Sequence, residues 1–197
     1  ENQLICLENV IAMLLSGGAS PVGMPVAVNE EPAIAGPRVV SLKTRVSMVW
    51  PGDEGLWFRS FRWSEIDDSP PPSLLSPGVS LPGRYIEAEG YLDDTLVVGM
   101  DGSNLQAVVI EPWTGTVISG PYVIGSTGIT DRRPGLASAV SRGYIAVCWE
   151  TGTGPYGGSG DFHDGVAFAL ISPSGSRLGV DLTVASGLLN IGGCAVG

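Results

Sequence analysis

Lysine is almost missing from this chain: of 197 residues only Lys43 is a lysine and only His163 a histidine. Ten Lys and Arg together stand against twenty Asp and Glu, for a formal net charge of −10. A surface of that sign repels phosphate, so nucleic acid and anionic lipid are not expected partners. Cysteine is scarce as well. Cys6, Cys148 and Cys194 are too few and too far apart for a zinc motif, and their odd number allows at most one bridge within the chain. Each lies in an apolar run, where a small buried side chain and one half of a disulfide are both open readings. No run approaches the roughly 20 consecutive apolar residues that span a bilayer. Helical periodicity is absent throughout, which removes helical repeats from consideration. With one histidine and no nucleophile elbow, triad hydrolysis has no basis, and no enzymatic activity is expected.

What is present points to short strands and many turns. The chain is 44% hydrophobic and 15% charged, with 29 Gly and 15 Pro, a balance that suits an all-β protein. Four apolar runs recur in it: Gln3 to Glu8, Arg45 to Trp50, Thr95 to Asp101, and Gly143 to Glu150. They align on Leu7, Trp50, Met100 and Trp149, at intervals of 43, 50 and 49 residues, the length of a blade-type repeat. A polar turn and a second β-prone run follow each one: Val10 to Leu15, Leu56 to Trp63, Leu105 to Ile110, and Val166 to Ile171. That is the pattern of a hairpin.

Gly-rich turns come next at Ser16 to Gly23, Glu111 to Val117, and Ser172 to Gly179, and short closing strands at Pro25 to Asn29, Ser73 to Ser76, Pro121 to Gly125, and Asp181 to Ala185. One further strand precedes the first run in three copies, at Arg38 to Leu42, Tyr85 to Glu89, and Gly135 to Val140. The first copy lacks it, and Ile191 to Val196 at the other end of the sequence matches it.

Four antiparallel strands in each of four repeats predict a β-propeller of one domain over 1–197, with blades at 38–78, 84–126 and 135–186. A fourth blade is shared by 191–196 and 3–29, so the ring is circularly permuted. Its completing strands would carry Leu4, Ile5, Cys6, Leu7, Ile191, Cys194 and Val196, joining the termini within one chain or between two. Runs such as Val166-Ala167-Phe168-Ala169-Leu170-Ile171 are apolar on both alternating faces, as sheets stacked on both sides require.

Two stretches, Gly135 to Ala185 and Val10 to Asn29, carry Tyr144 to Glu150, Asp164-Gly165, Ser174 to Gly179, Ser20-Pro21-Val22-Gly23 and Val26-Ala27-Val28-Asn29. In these the chain resembles the tryptophan-containing propeller-like repeats of secreted bacterial proteins. The second repeat departs from the pattern at Arg62-Trp63-Ser64-Glu65 and Pro70-Pro71-Pro72, and the third has Met100 in place of the Trp. The resemblance implies a fold and leaves activity open, since such repeats occur in proteins of unrelated function.

The remaining candidates are few. Trp57, Trp63 and Trp113 fall at strand ends or turns, where an indole can stack on a sugar or pack between blades. The insertion Thr151 to Asp164 holds Asp161 and Asp164, which with backbone carbonyls could bind calcium; no other cofactor is expected. Asp94 and Glu150 are the carboxylate pair to test for glycoside cleavage. The sequence thus predicts an extracellular, non-catalytic protein that self-associates through its terminal strands, with a carbohydrate-binding propeller as the alternative.

Overall fold

The structure, a computed structural model, describes residues 11–15, 21–28, 33, 35–52, 54–62, 73–74, 86–91, 94–101, 104–126, 136–141, 143–153 and 162–186. All regular elements among them are strands. They form a hairpin of β1 (Ile11–Leu15) and β2 (Pro21–Ala27), then three four-stranded antiparallel sheets. The first of these three contains β3 (Arg38–Ser41), β4 (Arg45–Gly52), β5 (Gly55–Arg62) and β6 (Ser73–Leu74). Next come β7 (Ile86–Tyr91), β8 (Asp94–Asp101), β9 (Asn104–Ile110) and β10 (Val117–Ser126). The last holds β11 (Leu136–Ser141), β12 (Tyr144–Thr153), β13 (Phe162–Ile171) and β14 (Arg177–Ser186). Each sheet is a meander, its hydrogen-bonded neighbours being consecutive strands of the chain.

First strands of successive sheets lie side by side, β3 against β7 and β7 against β11. Gly90 on β7 shows how closely: a Cβ there would come within 2.9 Å of Leu42 and 3.0 Å of Val40. Arg38 on β3 and Glu87 on β7 add an ion pair of 2.8 Å across the same seam. The sheets therefore stack face to face around their first strands, a propeller-like arrangement. Strand β4 is buried at all eight positions, because it is covered on both faces.

Three apolar clusters fill the spaces between sheets. Val28 and Ala33 meet Val46, Met48, Trp50 and Phe61. Val49, Leu56 and Phe58 meet Ile86, Val97, Val108 and Ile110. Leu96, Val98, Leu105, Ala107, Val109 and Ile124 meet Ile145, Val147, Trp149, Ala167, Ala169 and Ile171. Alternation along each strand sends odd and even residues to opposite neighbours, so one strand serves two interfaces.

The registers correct the sequence alignment by one residue. Leu42 and Arg45, Tyr91 and Asp94, and Ser141 and Tyr144 close equivalent two-residue turns. Counting from those turns, the equivalent of Trp50 and Trp149 is Gly99, not Met100. Since side chains alternate with period two, that slip places the residue on the wrong face.

The closing strands also begin earlier than the sequence suggests, at Pro21, Val117 and Arg177; in β14 a β-bulge absorbs Gly179, which the sequence reads as turn. Likewise β12 and β13 run through Thr153 and from Phe162, which moves Asp164 out of the predicted loop and onto a strand.

Candidate functional site

Two places on the molecule stand out, and both are built by the repeat. The first is the face of the last sheet that turns away from β7–β10. Pairing of β8 with β9 and of β12 with β13 makes Leu105 equivalent to Val166, Ala107 to Phe168 and Val109 to Leu170. Strands β10 and β14 correspond too, since Gly125 pairs with Leu105 where Ala185 pairs with Val166, and Val123 pairs with Gln106 where Thr183 pairs with Ala167. Ile124 and Val184 are then the same bulge residue in successive sheets. Val28 is their counterpart beside β2, sharing a cluster with Trp50 as Ile124 shares one with Trp149.

Burial separates the three. Val28 is 1% exposed and Ile124 0%, each beneath the tryptophan of the next sheet, while Val184 is 66% exposed. Around Val184 the same face carries exposed Leu178 and Leu182 on β14 and half-buried Phe168 and Leu170 on β13. At the covered counterpart the fit is detailed. The Trp149 ring lies on the backbone of Gly125, where any Cβ would overlap it, and Trp149 Nε1 donates to the carbonyl of Ser126 at 3.1 Å. Ala185 and Ser186 hold those positions in β14.

The second place is the turn from β9 to β10. Glu111 Oε1 accepts from the N–H of Trp113 at 2.9 Å, and its Oε2 accepts from the N–H and hydroxyl of Thr114 at 2.8 and 2.7 Å. Burial pushes the Glu111 carboxyl up, but the Thr114 hydroxyl, the two backbone donors and the Arg45 charge outweigh it and hold it below its ordinary value. The braced turn sets Trp113 over the neighbouring sheet, with the Arg45 guanidinium 4.2 Å from its ring centre and that of Arg62 5.8 Å away. The indole remains 52% exposed.

The tryptophan candidates therefore separate. Trp113 is exposed; Trp57 pairs with Trp50 and is partly buried against the cluster of Val46, Met48 and Phe61, which is interblade packing; Trp63 lies outside the described residues. Of the calcium candidates, Asp164 lies on β13 beside a bulge and Asp161 falls outside the described residues. Among the described residues no three His, Cys, Asp or Glu cluster as a metal site would.

Asp94 starts β8, whereas Glu150 lies six residues along the equivalent strand β12, so the two sit at opposite ends of their sheets, on the order of 20 Å apart along the strand direction. They do not form a pair. Cys148 is buried on β12. The assembly residues Leu4, Ile5, Cys6, Leu7, Ile191, Cys194 and Val196 lie outside the described residues.

Sequence reasoning missed the importance of Leu178, Leu182 and Val184, although their spacing at even positions was available as a period-two signal. It also missed Arg45 and Arg62, which reach Trp113 only because separate sheets stack. No described helix is long and apolar enough to cross a membrane.

No family model and no curated protein matches the sequence. Among solved structures the chain is similar to Bacteroides ovatus Xyloglucan PUL GH43B, at 14% identity and a TM-score of 0.44, over 75% of this chain and 28% of that one. The chain thus spans little more than a quarter of the length of the structure it matches.

Proposed function

We propose that this is a non-catalytic structural or assembly protein of the cell exterior, built as a permuted four-bladed propeller whose terminal strands complete a blade within or between subunits. The exposed apolar residues of the outer strand of the last sheet carry this reading: Leu178, Leu182 and Val184 on β14 are exposed, whereas Ile124, the counterpart of Val184 in the sheet before, is fully buried. Exposed apolar groups that cluster in this way commonly mark an interaction site. The hairpin β1–β2 supports the same reading, since among the described residues it has two strands where the other sheets have four. Residues 3–8 and 191–196 are each long enough in sequence to supply one further strand. The acidic, lysine-poor composition suits an extracellular setting.

The test is truncation after Leu189 of the intact chain. Loss of a strand from a blade is expected to lower the thermal midpoint by several degrees or more, far beyond the effect of trimming a tail. Unchanged thermal unfolding would remove the shared blade.

One observation favours a second reading, carbohydrate binding: Trp113 is exposed, rigidly held and backed by Arg45, as a sugar-stacking indole would be. A glycan array with the native protein and Trp113→Ala decides it, binding to a glycan that Trp113→Ala abolishes being the result required.

A further inference from the structure

We infer that the indole of Trp113, with Arg45 behind it and Arg62 beside it, binds a saccharide that carries a carboxylate, such as a uronic or sialic acid residue. The inference rests on the carbohydrate reading of Trp113, and it adds which class of sugar the site selects.

Arg45 on β4 pairs directly with Arg62 on β5, so both side chains leave the same face at one end of their sheet. Like charges set opposite each other destabilise a sheet. This chain nevertheless places two of its ten cations there, against twenty acids overall. The repeat does not call for the pair. Counting one position outward from the pairs Thr95–Ile110 and Ile145–Ile171, the same two places hold Asp94 and Glu111 in the next sheet, and Tyr144 and Ser172 in the last. Nor does the packing below call for it. Further in on that face come Ser47 and Ser60, then Val49 and Phe58 in the apolar cluster shared with β7–β10. The face thus passes from hydrocarbon through hydroxyls to two positive charges, and Trp113 lies over the charged end.

The two arginines differ in what they offer. Arg45 is buried and held by Ser60, and its charge is balanced by the Glu111 carboxylate, which is committed to three donors of the Trp113 turn. Arg62 is exposed, with its guanidinium carbon 5.8 Å from the indole centre. The indole, 52% exposed, presents a flat apolar surface to the C–H face of a sugar ring. A guanidinium behind that surface works against the slightly positive C–H groups of a neutral sugar and attracts a carboxylate. A carboxylate on the rim of the stacked ring meets Arg62, whose parallel N–H donors fit it bidentately. The net charge of −10 does not oppose this, because exposed charges more than about 8 Å away are screened at physiological salt.

The test is a glycan array holding uronic and sialic acid glycans beside their methyl esters and neutral counterparts, probed with the full native chain. Binding to the acids is expected, and loss of binding on the esters, which keep the ring and remove the charge. Affinity for a bound acid is expected to fall about tenfold or more in Arg62→Gln, with circular dichroism matching the wild type. Acid binding that Arg62→Gln leaves unchanged overturns the inference. Esters or neutral glycans bound as tightly as the acids, with Trp113→Ala abolishing that binding, overturn it while leaving the carbohydrate reading in place. An array with no bound glycan overturns the inference and the carbohydrate reading together.

Discussion

Between the sheets β7–β10 and β11–β14, Leu96 and Val109 face each other across paired strands, and the turn at Gly175 rests on them, its would-be Cβ 3.1 Å from Val109 and 3.8 Å from Leu96. One sheet earlier the same two positions are Ser47 and Ser60. There Arg45 is buried, its Nε donating to Ser60 Oγ at 3.0 Å and its Nη2 to the Ser60 carbonyl at 3.3 Å, and the overlying turn covers it with Trp113. The repeat therefore accepts hydrocarbon or a closed polar set at one position. What it requires at this position is filled volume, with any polar group there paired. The apolar version tolerates loss of a methyl group gradually; the polar version depends on every member being present.

The largest expected effect breaks the apolar interface. Trp149→Ala removes the ring that covers Ile124 and Gly125 and is expected to cost about 3–5 kcal/mol, read as a fall in the denaturant midpoint. Ser60→Ala attacks the polar interface by taking one acceptor from the buried Arg45 guanidinium, at an expected cost of about 1.5–3 kcal/mol. The comparison is sharpened if Val109→Ala, the equivalent change in the next sheet, costs less than Ser60→Ala despite deleting more carbon; the reverse order would show that the polar set contributes little.

Trp113→Ala should cost only about 0.5–1 kcal/mol, the scale of a cation–π contact at an exposed site, measured by the same unfolding curves. The smallest effect is on pH dependence. Glu111 is held below its ordinary value, so its contribution is complete above the unfolded value near 4.5 and is lost as pH falls through the lower folded value. Trp113 fluorescence is expected to change over that acid range in the native protein, and Glu111→Gln to abolish the change while leaving the behaviour above pH 5 intact. A transition that persists in Glu111→Gln would assign it to another carboxylate.

Much of the architecture was legible in the sequence because it is written in short-range terms. The hairpins β3–β4, β7–β8 and β11–β12 follow from β-prone runs on either side of two-residue turns, and Gly115 and Gly175 sit in turns at positive φ, which favours glycine. Less was legible where one residue decides. Aligning Met100 with Trp50 looks as good in sequence as aligning Gly99, since both lie in one apolar run, but only the turn geometry fixes the register. Gly179 was read as turn because nothing in a linear sequence announces that a bulge will accommodate it at φ 77° inside β14.

The candidate site was half legible for a similar reason. Trp57 and Trp113 have the same chemistry and comparable turn-proximal positions, and stacking buries one while leaving the other exposed. Leu178, Leu182 and Val184 look in sequence like ordinary core residues.

By itself, the sequence determined that this chain makes antiparallel strands in a repeated order, carries hydrocarbon on both faces of its sheets, and bears a net negative charge. These follow from composition, alternation and turn chemistry, which act over a few residues. Tertiary structure alone decided which faces are covered. Val28, Ile124 and Val184 are the same aliphatic position in three sheets, yet the first two are buried and the third is exposed, a difference set by neighbours distant in sequence.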